Sequence, residues 1–288
     1  MPDAAYYNGQ YTTLQQLQVS PDDRAFYFGD GVYEVVKVLD GRVFALELHL
    51  DRLYRSAAGI EVKIPWSRAE IAGVLADLLE RSTYPNALIY FQISRGVAPR
   101  KHAYPPADTV PSLCAWVKPF HGLPKALHED GAKAVIVADQ RWPQAWIKSL
   151  NLLPNAMAAD AARRAGAYEA ILVDRDGLVN ECSASNLFAV IDGVVRTAPK
   201  NRNILWGVSR HVALQCAQAL GIRVQERAFS VPEMLYGDEV FLTSTSPDVL
   251  PIVIIDGHQI SDGRPGPITR RLLAAFRHHI RTGEYTTR

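Results

Sequence analysis

The chain has 288 residues, 48% hydrophobic and 21% charged, the composition of a soluble globular protein with room for one large domain or two ordinary ones. Basic and acidic side chains nearly cancel, 31 against 30, so the charge gives no reason to expect nucleic acid or an anionic membrane as partner. No apolar run approaches the roughly 20 residues that span a bilayer. The start Met1-Pro2-Asp3-Ala4-Ala5 lacks the basic and apolar regions of a signal peptide, and the three scattered cysteines, Cys114, Cys182 and Cys216, suit neither a disulfide framework nor a metal site. A cytoplasmic, reduced location without a bound metal is the expectation.

In chain order, residues 1–117 read as a first, smaller α/β domain. Tyr33 to Val38 and Arg42 to Leu46 are predicted strands around Asp40-Gly41, a strong hairpin signal. Residues 47–59 are predicted as a helix with Leu48, Leu50, Leu53 and Tyr54 on or near one face. Ser67, with Glu70 three residues on, predicts a capping box opening a second helix. Ala87 to Ser94 and Ser112 to Val117 follow as strands, and residues 118–124, with two prolines and a glycine, as an interdomain linker.

The larger domain is expected over residues 125–288. Ala134 to Ala138 and Ile147 to Leu152 read as strands, and Pro154 to Gly166 as an alanine-rich helix. Hairpins are predicted around Asp176-Gly177, Asp192-Gly193 and Asp256-Gly257. Helices are predicted near 208–220 and 267–281, and strands near 222–228 and 239–243. Hairpins mixed with helices favour an α+β fold over a doubly wound parallel sheet.

One lysine, Lys148, stands in an apolar run, Trp146-Ile147-Lys148-Ser149-Leu150. Desolvation disfavours the charged form of such an amine, and a partly neutral amine can attack a carbonyl to form a Schiff base. Phe28-Gly29-Asp30-Gly31 turns tightly and delivers Tyr33 at a strand's start. Arg52, near a helix start, offers a planar fork for a phosphate. Arg100 and His102, two apart in a basic loop that Pro99 keeps extended, suit a carboxylate. Glu181, before the small polar run Cys182-Ser183-Ala184-Ser185, could pair with a protonated ring nitrogen. Gly207-Val208-Ser209 at a helix start makes an anion site, and the hydroxyl run Thr243-Ser244-Thr245-Ser246 adds donors. Each of these also fits an ordinary cap, turn or solvated face. Together they list an amine nucleophile, a ring-nitrogen partner, a phosphate cradle and a carboxylate clamp, the parts of a pyridoxal phosphate enzyme acting on an amino acid.

With those residues in view, the chain resembles the class IV aminotransferases, fold type IV of the pyridoxal phosphate enzymes, and within them the members acting on D-amino acids. The blocks that carry the likeness are FGDGVYEVVKV at 28–38, HLDRLYRSA at 49–57, IYFQISRGVAPRKH at 89–102, IKSLNLL at 147–153, NECSASNLF at 180–188, ILWGVSR at 204–210 and FLTSTS at 241–246. The resemblance implies a two-domain fold and a homodimer holding pyridoxal 5'-phosphate. Lys148 matches the Schiff-base lysine and proton shuttle, and Glu181 the partner of the pyridine nitrogen. Arg52, Val208, Ser209, Ser244 and Thr245 match the phosphate site, and Leu205 the residue packed on the ring. Tyr33, Arg100 and His102 match a trap for the substrate carboxylate, and Tyr90 lines the same site. The implied reaction is ping-pong transamination between a D-amino acid such as D-alanine and a 2-oxo acid such as 2-oxoglutarate. Branched-chain L-aminotransferases and 4-amino-4-deoxychorismate lyases share the fold and are the alternatives. Trp206, Cys182, Ala184 and Pro154 depart from the pattern of close relatives.

Overall fold

A computed structural model describes residues 3–285, so Met1 and Pro2, at the head of the stretch read for a leader, lie outside the described residues. The chain divides into two units, Met1–His121 with Ile147–Leu152, and Gly122–Trp146 with Leu153–Arg288. The boundary after His121 falls within residues 118–124, although Pro119 still belongs to a strand.

The first unit holds strands β1 (Ala4–Tyr7), β2 (Gln10–Thr13), β3 (Gly31–Leu39), β4 (Arg42–Val43), β5 (Ala87–Ser94) and β6 (Ser112–Pro119), and helices α1 (Arg24–Phe28), α2 (Leu46–Gly59) and α3 (Arg68–Ser82). All strand pairs are antiparallel, in the order β2-β1-β6-β5-β3-β4. The Asp40-Gly41 turn has φ of 49° and 74°, the left-handed pair that a two-residue hairpin demands. Asn8-Gly9, at 45° and 92°, makes the same turn between β1 and β2, a hairpin the sequence reading passed over. The expected strand from Arg42 stops at Val43 because α2 begins at Leu46. The Ser67–Glu70 capping box forms as expected. The core sets Leu50 and Leu53 of α2 and Ile71, Leu75 and Leu78 of α3 against the sheet, all fully buried, each contributing about 1.5–3 kcal/mol.

The second unit holds α4 (Lys125–Glu129), β7 (Ala132–Ala138), α5 (Leu153–Arg164), β8 (Glu169–Val173), β9 (Val179–Cys182), β10 (Asn186–Ile191), β11 (Val194–Thr197) and α6 (Val208–Ala219). It continues with β12 (Val224–Glu226), α7 (Val231–Leu235), β13 (Glu239–Ser244), β14 (Asp248–Ile255), β15 (His258–Gln259) and α8 (Pro267–Thr282). Its sheet is mixed, ordered β12-β11-β10-β13-β14-β7-β8-β9 with β15 beside β14, so antiparallel hairpins and parallel pairs coexist in an α+β fold. Pro154 sits in the first turn of α5, where a missing N–H costs nothing. The hairpin expected at Asp256-Gly257 forms between β14 and β15, and β14 runs back through Pro251 to Asp248.

Ile147–Leu152 is the clearest departure. It was expected as a strand in the second domain, which was to carry the lysine. It is irregular, with a single antiparallel bridge from Ser149 to Val32, and it clusters with the first unit. Its polar backbone groups explain why. Tyr33 N–H donates to Lys148 O at 3.0 Å, Leu150 N–H to Gly31 O at 3.0 Å, and Lys148 N–H to Ser56 Oγ at 3.1 Å. The segment is docked on the start of β3 rather than built into a ladder.

Candidate functional site

In the first unit the approach of this segment to β3 dictates the Gly-Asp-Gly turn. A Cβ on Gly31 would stand 2.6 Å from Ile93 O and 2.8 Å from Leu150 Cδ1. Gly29 closes α1 in the left-handed region at φ 60°, and its carbonyl accepts Asn151 Nδ2 at 3.0 Å. Lys148 is half-buried, and its Nζ lies 4.1 Å from the centroid of the Tyr33 ring, within cation–π range. Tyr33 stacks on Tyr90 at 5.5 Å and Tyr90 on Trp116 at 4.2 Å, a ladder of rings crossing three strands. The Tyr90 hydroxyl donates to Gln92 Oε1, and burial raises its pKa well above the ordinary value.

Helix α2 explains the next part. Its apolar stripe is Leu50, Leu53 and Ala57, and beside it runs a buried polar stripe at the same spacing, His49, Arg52 and Ser56. Glu34 on β3 meets that stripe. Arg52 Nε donates to Glu34 Oε1 and Arg52 Nη2 to Oε2, both at 2.7 Å, and His49 Nδ1 lies 2.7 Å from Oε2. Burial alone would raise the Glu34 carboxyl. The charge and hydrogen bonds of Arg52, joined by His49, outweigh it and hold the group at about 2. Burial lowers His49, so its ring is neutral near pH 7. Two prongs of the Arg52 fork are thus turned to Glu34, not left for a phosphate alone.

The structure brings Lys148, Tyr33 and Tyr90 together. It groups Arg100 and His102 elsewhere, exposed against α1. Arg100 Cζ lies 5.7 Å from the Tyr27 ring and 5.6 Å from that of Phe28, and the His102 ring lies 5.6 Å from Phe28.

In the second unit Glu181 on β9 is buried among three donors. Oε1 accepts Leu205 N–H at 2.9 Å and an Arg141 Nη1 contact, and Oε2 accepts Asn186 Nδ2 at 2.7 Å. Arg141 is shared. Its Nε and Nη2 hold Asp139 at 3.0 and 2.7 Å, and Nη2 also donates to Asn203 O at 2.8 Å. Burial pushes the Glu181 carboxyl up to about 7, against the pull of Arg141 and the Leu205 N–H. Asn186 also donates to Leu205 O at 2.8 Å, fixing the loop on both sides of that peptide.

Helix α6 starts nearby in sequence, with Gly207 as an N-cap that has no side-chain cap, so its first N–H groups and dipole face outward from Val208 and Ser209. A Cβ on Gly207 would come within 2.1 Å of Asn186 Oδ1. Thr243, paired with Asn186 across β10 and β13, has a buried Oγ1 with no hydrogen-bond partner among the described residues. Ser244 ends β13 and Thr245 follows it, on the strand against which α6 packs. An uncapped helix start, a side-chain-free approach at Gly207 and an orphaned hydroxyl suit a phosphate, and a buried carboxyl near neutrality suits a ring nitrogen. The residues present therefore fit pyridoxal phosphate.

Sequence reasoning missed Glu34, His49, Asn186 and Arg141. The first three stood inside quoted motifs without a role. Arg141 carried no signal, since its function comes from meeting Glu181, forty residues away in sequence. Among the described residues there is no cluster of His, Cys, Asp and Glu able to hold a metal, and no helix long and apolar enough to cross a membrane.

Comparison with known proteins matches these features. The family described as "Amino-transferase class IV" matches residues 31–255. The D-alanine aminotransferase of Bacillus licheniformis is 39% identical over 274 residues, 95% of this chain and 96% of that one. That of Staphylococcus haemolyticus is 38% identical over 275 residues, 96% and 97% of the two chains. Among solved structures, the branched-chain amino acid aminotransferase of Escherichia coli aligns with a TM-score of 0.89 at 29% identity, covering 99% of this chain and 96% of that one. The Thermoproteus uzoniensis branched-chain aminotransferase, solved with norvaline, aligns at 0.87 and 25% identity, covering 97% and 95%. The chain belongs to the class IV aminotransferases.

Proposed function

We propose that this aminotransferase moves an amino group between a D-amino acid such as D-alanine and a 2-oxo acid such as 2-oxoglutarate, with pyridoxal 5'-phosphate as cofactor. The observation that carries the reading is the placement of the Lys148 amine 4.1 Å from the Tyr33 ring, the nucleophile beside a residue of the substrate-carboxylate trap. The preference for D-amino acids over branched-chain L-amino acids rests on likeness: 37–39% identity to D-alanine aminotransferases, against 23–29% to the aligned solved structures, most of them branched-chain enzymes.

When bound, the cofactor supplies a carbon to carry the amino group and a ring that withdraws the charge left by the departing α-proton. Lys148 Nζ would hold the cofactor covalently, and as a free amine it would accept the α-proton. Its backbone, pinned by Tyr33 N–H and Ser56 Oγ, keeps that amine on one side of the substrate, which is how one enantiomer is chosen. Glu181, oriented by Arg141, Asn186 and Leu205 N–H, is the carboxyl that would meet the ring nitrogen. Arg52, Val208, Ser209, Ser244 and Thr245 are the residues that would hold the phosphate, and Leu205 the one that would pack on the ring. Tyr33, Tyr90, Arg100 and His102 receive the substrate. Arg100 and His102 are exposed and turned to α1, and the enzyme works as a homodimer, as its resemblance to the family implies. Three buried, unpaired cysteines suit the reducing cytoplasm.

Titration of the cofactor-loaded enzyme with D- and L-alanine tests the reading. Loss of its visible absorbance with the D-form alone is expected. A response to the L-form alone overturns the hand. Release of pyruvate from 4-amino-4-deoxychorismate with no response to either alanine overturns the reaction. Lys148→Ala removes the covalent attachment and with it that absorbance.

A further inference from the structure

We infer that Arg24, backed by Asp30, is a positioning residue for the substrate-carboxylate clamp. It fixes the backbone on both sides of His102. This rests on the reading of Arg100 and His102 as that clamp.

Arg24 opens α1 and is 2% exposed. Its Nε donates to Asp30 Oδ2 at 2.7 Å. Its Nη1 donates to two carbonyl oxygens, Lys101 O at 2.7 Å and Ala103 O at 3.3 Å, which flank His102 in sequence. The guanidinium lies 4.7 Å from the Phe28 centroid, and the same ring meets His102 and Arg100, each at 5.6 Å. Both candidate clamp residues therefore lean on a ring that Arg24 covers, and the peptide carrying one of them is held at both ends by the same nitrogen.

The remaining contacts of the cluster serve the same loop. Asp30 also accepts Arg95 Nε at 2.9 Å, and Arg95 donates to Ile60 O at 2.6 Å and Glu61 O at 3.2 Å while covering Tyr104 at 3.6 Å. Arg24 N–H donates to Gly96 O and Ala98 N–H to Asp22 O, so the loop's first residues are tied to α1 as well. Burying two guanidiniums is costly unless their donors are satisfied. Here Arg24 Nη1 holds the loop beside its tip, and Arg95, where the loop begins, is anchored to Asp30, Ile60 and Glu61, which leaves the tip with few ways to shift. Displacement of about 1 Å at such a group is worth up to about 100-fold in rate.

Arginine is required because one side chain must serve a carboxylate through Nε and two carbonyls through Nη1. Lysine keeps the charge beside Asp30 but has a single nitrogen for all three.

The test compares wild-type holoenzyme, Arg24→Lys, Phe28→Leu and Arg100→Ala on D-alanine and on 1-phenylethylamine, an amine without a carboxyl group. Arg24→Lys is expected to raise KM for D-alanine roughly tenfold, with kcat and the kcat/KM for the amine within about twofold. Amide hydrogen exchange over residues 100–103 is expected to speed up in the same variant. Phe28→Leu, which removes no charged group and leaves the Arg24 hydrogen bonds in place, is expected to raise KM for D-alanine about threefold, and it keeps the idea testable if Arg24→Lys folds poorly. Equal losses on both substrates, or no change on either, overturn the inference. If Arg100→Ala raises KM for D-alanine and neither Arg24→Lys nor Phe28→Leu does, this inference fails and the clamp stands. If Arg100→Ala leaves D-alanine unaffected, the clamp reading fails and takes the inference with it.

Discussion

Each unit buries a glutamate beside an arginine, yet Glu34 and Glu181 are driven in opposite directions. Glu34 has two prongs of Arg52 to itself, through parallel bonds of 2.7 Å, and His49 adds a third contact. Glu181 has an arginine that it shares with Asp139, and that second carboxylate raises it further. The first is held at about 2 and the second at about 7, from the same ordinary value of 4.5. The lesson is that a buried arginine does not by itself keep a carboxylate ionised. What differs is what offsets the cost of burial: Glu34 meets two Arg52 prongs and His49, whereas the pull of Arg141 and the Leu205 N–H on Glu181 does not outweigh it, and Asp139 opposes them. The first is held as a fixed structural charge, and the second is poised to exchange a proton with a ligand.

The sharpest way to break this comparison is Arg52→Ala. It leaves Glu34 buried with His49 alone, and a loss of on the order of 3–5 kcal/mol is expected in denaturant unfolding of the apoprotein. A loss below 1 kcal/mol would remove the claim that Glu34 depends on Arg52. Glu181→Gln comes next. It keeps the shape and two of the donors but no negative charge for a ring nitrogen, and kcat is expected to fall on the order of 100-fold while the fold survives. Unchanged kcat in steady-state assays would sink the role of Glu181.

The pH dependence of apoprotein stability separates the two glutamates more finely. Glu34 is lowered on folding, so its contribution is present above 4.5 and is lost as pH falls toward 2. Glu181 is raised on folding, so its contribution is present below 4.5 and is lost as pH climbs toward 7. Each has a limiting slope of about 1.4 kcal/mol per pH unit. Glu181→Gln is expected to flatten only the limb between 4.5 and 7. Asp139→Asn should act more gently, by giving Arg141 wholly to Glu181. The pH profile of kcat/KM then moves to lower pH by a fraction of a unit, and a move to higher pH contradicts the sharing of Arg141. The smallest effect is expected from His49→Gln, roughly 1 kcal/mol in thermal or denaturant unfolding, since Arg52 keeps Glu34 ionised without it.

Much of the fold was legible because it is decided locally. Asp40-Gly41, Asp192-Gly193 and Asp256-Gly257 all take the paired positive φ values their residues favour, and Ser67 with Glu70 caps α3 as the sequence indicates. The failures come from distant partners. Nothing local marks Ile147–Leu152 as irregular, because its hydrogen bonds run to Gly31, Tyr33 and Ser56, far away in sequence. The hairpin at Asp256-Gly257 was legible, but the place of its first strand, β14, between β13 and β7 is decided by the sheet. At the candidate site, Lys148, Glu181 and Arg52 were legible as residue types in motifs. Their settings were not: the turn of Arg52 toward Glu34, and the division of Arg141 between two carboxylates, arise only when separate segments converge.

The docking of Ile147–Leu152 has a consequence for how the molecule is made. A ribosome releases the rest of the first unit, ending at His121, before the lysine segment has been synthesised. The cleft in front of Gly31, too tight for any side chain there, waits for a piece of chain that arrives only after another 25 residues, Gly122–Trp146, have been made. Until then Lys148 has no place on β3, so the residue proposed to carry the cofactor belongs to the last part of the first unit to be set.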